Sequence, residues 1–307
     1  MKNALVIGGS GFLGISLCEH LQAKGYDVTV FDLKPPPHDS GNSFFYGTIE
    51  DYNAVEFACR DQEVVFNLAG MLGTSELLEM NAMLDAVKIN ILGATNVFKA
   101  CTEAGVRRVF YPTKPNCCLN TYSITKKAGE EFAVAFNRFK NLDVRILRWL
   151  NAYGPYQKLF PVRKAVPVMI LQALYDLDIE IWGKGEQPVD LIYTEDLAEI
   201  TAHYTLLDNV DSTVRDTGNT VRMSVNRLAQ LIKYLTNSNS GITHKPMRDG
   251  ENEEIHIEPL PGENAADILG FKNRMTDIET GMLETIEYYK NLPNDYHSQT
   301  IKFYSQP

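Results

Sequence analysis

Short apolar runs alternate along the first half of this chain with stretches whose apolar positions recur every three or four residues. Ala4-Leu5-Val6-Ile7, Asp27-Val28-Thr29-Val30-Phe31, Glu63-Val64-Val65-Phe66-Asn67, Arg107-Arg108-Val109-Phe110-Tyr111 and the segment Asp143 to Leu147 read as strands buried on both faces. Between them, Leu13, Leu17, Leu21 and Ala23 keep helical spacing. So do Val87, Ile91, Ala94, Val97, Phe98 and Cys101 within 82–104, and a third helix reads over 122–139. Strands alternating with helices imply right-handed crossovers. The prediction is an α/β fold, a Rossmann-type doubly wound parallel sheet, over residues 1–155. Beyond Gly154-Pro155 the rhythm changes. Helical stretches near 164–177, 195–207, 224–236 and 275–290 are separated by short strands and by turns rich in Gly, Pro and Asn. This predicts a smaller, mixed C-terminal lobe over 156–307 that binds substrate, with 191–207 free to pack back on the first domain. Residues 291–307 read as irregular and polar.

The ends of the strands are where such a sheet binds ligands. The first strand runs into Gly8-Gly9-Ser10-Gly11-Phe12-Leu13-Gly14 and then a helix. Gly8 suits a tight turn, Gly11 lets a ligand approach the backbone, and Gly14 lets the helix lie close to the sheet. A helix start offers unpaired N–H groups and a partial positive charge, which together suit a pyrophosphate. The second strand ends in Asp32, 18 residues beyond Gly14. A carboxylate there accepts hydrogen bonds from both hydroxyls of an adenosine ribose and repels a 2′-phosphate, so NAD is favoured over NADP. Tyr122 and Lys126 stand at i and i+4, one helical turn apart on one face. An ammonium close to a phenol favours the phenolate, which can take a proton from a carbinol as its hydride leaves.

Composition narrows the class. The 307 residues are 44% hydrophobic and 22% charged, as in soluble globular proteins, and the net charge of -10 argues against nucleic acid or an anionic membrane as partner. No apolar run approaches the ~20 residues of a membrane span. The five cysteines (Cys18, Cys59, Cys101, Cys117 and Cys118) have no metal-site spacing, and no metal is expected. The chain opens almost directly into a strand, so a cytoplasmic protein with reduced thiols is expected.

Taken together, the glycine segment, Asp32, Asn67-Leu68-Ala69-Gly70 and Tyr122…Lys126 resemble the extended short-chain dehydrogenase/reductase superfamily, and within it the NAD-dependent nucleotide-sugar epimerases and dehydratases. Later segments support the resemblance. Arg148 to Pro155 is similar to the family's R-x-x-N-x-Y-G-P, and Gly183 to Ala198 to its G-x-G-x-Q…D-x-I-x-x-x-D-L-A. Arg248-Asp249-Gly250-Glu251 is similar to R-x-G-E, and Leu269-Gly270-Phe271 to its late L-G-[WF]. The resemblance implies roles. Gly8, Gly11, Phe12, Leu13, Gly14, Asp32, Leu68, Ala69, Gly70 and Asn90 would line the dinucleotide, with Tyr122 and Lys126. Tyr122 would be the base, Lys126 would bind the nicotinamide ribose, and Thr113 would hydrogen-bond the reacting oxygen. Asn151 and Arg248 would hold the phosphates of a nucleotide-diphosphate sugar. A homodimer formed through the helices 82–104 and 122–139 is implied as well.

The departures bear on chemistry. The 4,6-dehydratases of the family carry Asp-Glu directly after the catalytic Ser or Thr, where this chain has Lys114-Pro115. Thr113 and Tyr122 are nine positions apart, against more than twenty in the family, so the loop over the sugar is short. Thr48, Val189 and Tyr156 stand where the family has an Asp and two Arg. Lys114 either holds a sugar hydroxyl, donates a proton, or is a solvated loop residue. Cys117-Cys118 either supplies a thiol acid or is packing. Thr74, Ser75 and Glu76 either bind sugar hydroxyls or cap the next helix. The reading is a nucleotide-sugar epimerase of the 4-epimerase kind, working through a ketosugar. The alternatives are a dehydratase or reductase with atypical acid and base groups, and an NAD-binding sensor without turnover.

Overall fold

The computed structural model describes residues 2–115, 118–208, 210–219, 222–252 and 264–304. Cys117 lies outside them. The chain opens as β1 (Lys2–Ile7), α1 (Phe12–Ala23), β2 (Tyr26–Asp32), β3 (Ser43–Tyr46), α2 (Tyr52–Cys59) and β4 (Val64–Asn67). It continues as α3 (Met80–Val87), α4 (Ala94–Ala104), β5 (Arg108–Thr113), α5 (Thr121–Lys140), β6 (Val144–Trp149) and β7 (Asn151–Tyr153). Then follow α6 (Ala165–Leu174), β8 (Ile179–Trp182), β9 (Pro188–Tyr193), α7 (Thr194–Leu206), β10 (Arg215–Thr217), β11 (Arg222–Ser224), α8 (Val225–Thr236) and β12 (Ile242–Lys245). The last helices are α9 (Ala265–Ile268), α10 (Ile278–Lys290) and α11 (Asn294–Tyr304).

Seven parallel strands form the main sheet in the order β3-β2-β1-β4-β5-β6-β10. Alternate residues of β1 feed the two faces, as the pleat requires. Ala4 and Val6 pack with Leu17, Leu21, Ile200 and Tyr204 on one side, and Leu5 and Ile7 with Val97, Phe98 and Ala133 on the other. The strand order reverses between β1 and β4, which opens a crevice beyond their carboxyl ends. Two small sheets, β7-β9-β11 and β8-β12, form the second lobe around Ile170, Ile181, Leu228 and Ile286.

The two parts interlock. β10 joins the main sheet beside β6, and α7 lies along α1, where Ser16 Oγ donates to Glu195 at 2.6 Å. Several elements depart from the sequence reading, which assigned nothing to α2 or α9. β3 is a largely exposed edge strand, too short to show a period. The expected helix 82–104 runs from Met80 to Ala104, but a π-helical turn at Lys88–Gly93 interrupts it and turns Asn90 inward to 2% exposure. The tail expected to be irregular forms α11. Its sequence is polar because Tyr296, His297 and Ile301 suffice to seat it on the second lobe, with His297 bonded to Tyr175 and to the Tyr289 carbonyl.

Candidate active site

The glycine turn closes β1 against β2 and β4. Gly8 has φ +80°, its N–H donates to the Phe31 carbonyl at 2.8 Å, and a Cβ there would fall 2.9 Å from the Ala69 nitrogen. At Gly14 a Cβ would meet the Gly8 oxygen at 2.4 Å, so any larger residue would lift α1 off the turn. Gly11 caps α1 and no side chain closes its first turn, which leaves a backbone cradle at a positive helix end. Asp32 stands beside this cradle. Its carboxylate accepts from the N–H of Ser10 at 3.1 Å and of Leu33 at 2.7 Å, fixing it at the rim with lone pairs to spare.

Leu68, Ala69 and Gly70 continue β4 along the crevice floor, where Leu68 and Ala69 also pack into the two cores. Phe12 and Leu13 occupy the first turn of α1 and Leu13 faces the core. The Asn90 amide accepts from the Met71 N–H at 2.7 Å and donates to the Met71 carbonyl at 2.9 Å and to Thr125 at 3.0 Å. It therefore acts as a clamp on the loop after β4. Asn67, fully buried at the end of β4, has neither amide atom paired within the described residues. A cradle closed to side chains at Gly8 and Gly14, a rim carboxylate and an unpaired buried amide fit a dinucleotide lying across the switch point.

Tyr122 sits in the first turn of α5. Asn120 caps that helix by accepting from the Ser123 N–H at 2.9 Å, and Asn141 ends it at φ 53°. Thr113, the last residue of β5 and 3% exposed, donates to the Lys126 carbonyl at 3.3 Å. So the carboxyl end of β5 and the start of α5 bring Thr113, Tyr122 and Lys126 together. The Lys126 ammonium lies 4.3 Å over the Tyr111 ring. Burial pushes it down to about 7, against the opposing pull of Glu130. Glu130 is itself held ionised: burial works to raise its carboxyl, but a bidentate bond from Arg148 at 2.9 and 2.7 Å, with Lys127 at 2.7 Å, outweighs it. The sequence reading expected Lys126 to lower the Tyr122 pKa. In this structure burial raises the phenol instead.

The facing wall comes from three distant segments. Thr74 Oγ1 donates to Glu251 at 2.9 Å and accepts from Arg248 at 3.3 Å. Arg248 bridges Glu251 and Glu76, the latter at 3.4 Å. Burial would raise the Glu76 carboxyl, but N–H groups of its own turn, of Arg163 and of Thr74, with Arg248, hold it below its ordinary range. Ser75 donates to the Asp249 carbonyl at 2.8 Å. This wall is tied to the start of α5: Asn120 donates to the Gly250 carbonyl at 2.8 Å, and Thr121 to the Leu77 carbonyl at 2.8 Å. Asn151 lies apart from the wall, exposed on β7 and donating to the Asp190 carbonyl at 3.3 Å.

Several wall residues were not picked out from sequence. Arg163 bonds Glu180 at 3.2 Å and lies over the Trp182 ring, as Arg248 does. Lys164 lies in the combined field of Glu76, Arg248, Glu251 and Lys114. The adjacent Arg163-Lys164 pair, placed between Pro161 and Pro167, was the available signal.

Residues 4–113 and 111–219 match the NAD dependent epimerase/dehydratase family. Among relatives, the UDP-N-acetyl-alpha-D-glucosaminuronate decarboxylase of Bacillus cytotoxicus is 26% identical over 96% of this chain and 99% of its own. A putative UDP-glucose 4-epimerase of Methanocaldococcus jannaschii is 25% identical over 94% and 98%. Among solved structures, UDP-glucose 4-epimerase from Thermotoga maritima with UDP-glucose superposes with TM-score 0.85 at 24% identity, covering 94% of this chain and 99% of that one.

Proposed function

The chain belongs to the NAD dependent epimerase/dehydratase family, and from that premise we propose that it inverts a carbinol centre of a nucleotide-diphosphate sugar. The observation behind this reading is Thr113 bonded to the Lys126 carbonyl one turn beyond Tyr122 on α5, in a chain whose β1 ends in a glycine cradle suited to NAD. In the proposed reaction the Tyr122 phenolate removes the proton of a sugar hydroxyl, while Thr113 turns its hydroxyl from the Lys126 carbonyl to the reacting oxygen. Bound NAD would supply a hydride acceptor and donor for that carbon, and its positively charged ring would favour the phenolate. The ketosugar turns within the site between these two transfers. Arg248 swings from its carboxylates to the diphosphate and anchors the nucleotide through that turn, whereas Asn151, apart from this wall, is left without that role.

The reading favours epimerisation over dehydration because Lys114-Pro115 follows Thr113, where water elimination needs an acid and a base. Incubation with UDP-, GDP- and dTDP-hexoses, with products read by NMR, tests it. Epimer formation is expected. A folded, NAD-loaded protein that converts no sugar nucleotide would overturn it, and a 4-keto-6-deoxy product would select the dehydratase reading. The proposal extends to a cytoplasmic homodimer. Leu84 and Val87 on α3, and Ile124, Phe132 and Phe139 on α5, leave apolar side chains exposed on the helices through which the family resemblance implies pairing.

A further inference from the structure

Lys114 is the residue that the proposed chemistry leaves over. It directly follows Thr113 at the end of β5, and Pro115 restricts its backbone to extended conformations. Its ammonium donates to Ser123 Oγ at 2.8 Å and lies 5.5 Å over the Tyr122 ring. Ser123 is 1% exposed and its own N–H is held by the helix cap, so the hydroxyl that positions Lys114 is itself fixed. Of the other cations nearby, Lys126 lies over the Tyr111 ring and Lys164 is buried in the field of Glu76 and Glu251, and the arginines are paired. Arg148 has Glu130, Arg163 has Glu180, and Arg248 has Glu76 and Glu251. Among the described residues no carboxylate lies in salt-bridge range of Lys114. A half-buried ammonium held by one hydroxyl and a ring face is under-solvated, and an anion reaching it from the cleft would gain a charge-assisted hydrogen bond.

Resting on the epimerase reading, we propose that Lys114 receives a carboxylate carried by the reacting sugar, so that the substrate is a nucleotide-linked uronic acid. The alternative anion is the diphosphate. Lys114 stands over the Tyr122 ring and so at the reacting end of the sugar, whereas the diphosphate lies at its other end. A carboxylate at C6 is next to the ring carbon that neighbours C4. A sugar presenting its C4 hydroxyl to Tyr122 therefore brings that carboxylate within the arc of the Lys114 side chain. A neutral hydroxymethyl group in its place would leave the ammonium without a counter-charge.

The test compares UDP-glucuronate with UDP-glucose on NAD-loaded wild type and Lys114→Gln, by calorimetric binding and by NMR turnover. The expected result is tighter binding of the uronate by wild type. Loss of Lys114 lowers uronate binding and kcat/KM by about 30-fold, the scale of a hydrogen bond to a charged group, and changes the glucose values by less than about threefold. Lys114→Arg restores part of the uronate binding. Equal losses for both sugars would put Lys114 at the shared diphosphate and overturn the proposal. So would a wild type that binds UDP-glucose as well as the uronate. Conversion of neutral hexoses alone would defeat the uronate assignment and leave the epimerase reading standing. Uronate binding that depends on Lys114, without turnover of any sugar, would do the reverse.

Discussion

At Lys126 folding and chemistry make opposite demands. The ammonium is 5% exposed, and burial pushes its pKa from 10.5 down to about 7. Between those values the unfolded chain holds a proton that the native chain has released, so native stability rises as pH climbs from about 7 to 10.5. Below about 7 both states are protonated, and the full cost of burying the charge is present. Lys126→Met is therefore predicted to raise the unfolding temperature at pH 6, with a gain that shrinks towards pH 10, while epimerisation is lost. Calorimetry across that range checks it, and a variant less stable than wild type at pH 6 would contradict the sign. The residues proposed to carry the chemistry could be picked out because their signal is local: Tyr122 and Lys126 share a helix face, and Thr113 ends a strand. Lys164, Arg163 and Asn120 were not, because their roles arise only where the segments around 76, 163 and 250 meet. The raised phenol of Tyr122 was missed for a related reason, since spacing reports which groups are near in sequence but not how deeply they are buried.

Among the elements, the unit β1–turn–α1 binds folding to cofactor capture. A methyl at Gly14 would collide with the Gly8 carbonyl at 2.4 Å, whereas one at Gly11 would meet only that same oxygen, at 3.1 Å. Gly14→Ala is predicted to destabilise the protein by about 3 kcal/mol, as overpacked sites do, and to abolish NAD binding. Gly11→Ala is predicted to weaken NAD binding at least tenfold with little loss of stability, because its methyl points where the dinucleotide approaches. Denaturant titration and NAD calorimetry on the two variants separate these effects; equal stability losses would contradict the assignment. The same unit shows why the sheet was readable. Ala4 to Ile7 is buried on both sides, so its pattern is set by burial alone. β3 and α11 escaped because neither needs a long apolar pattern: one is an exposed edge, the other is held by a few side chains.

For the whole molecule, the interlocking of the lobes makes the site a property of the entire chain. α5 is capped by Asn120, which also holds the Gly250 carbonyl, so the wall of segments 74–76 and 248–251 and the start of α5 are fixed together. The exposed apolar stripe Ile124, Phe132 and Phe139 runs along the outside of that same helix. Phe132→Glu is predicted to convert a dimer to monomer in sedimentation at micromolar concentration; a wild type already monomeric there would contradict the proposed assembly.

The claim on which the rest depends is that the Tyr122 phenolate moves the proton that accompanies hydride transfer. The direct measurement is NMR of a nucleotide sugar incubated with wild type and with Tyr122→Phe, each shown to carry NAD. The account predicts an inverted epimer from wild type and a rate at least about a hundredfold lower from the variant, with the dinucleotide retained. Equal rates from the two proteins would contradict it.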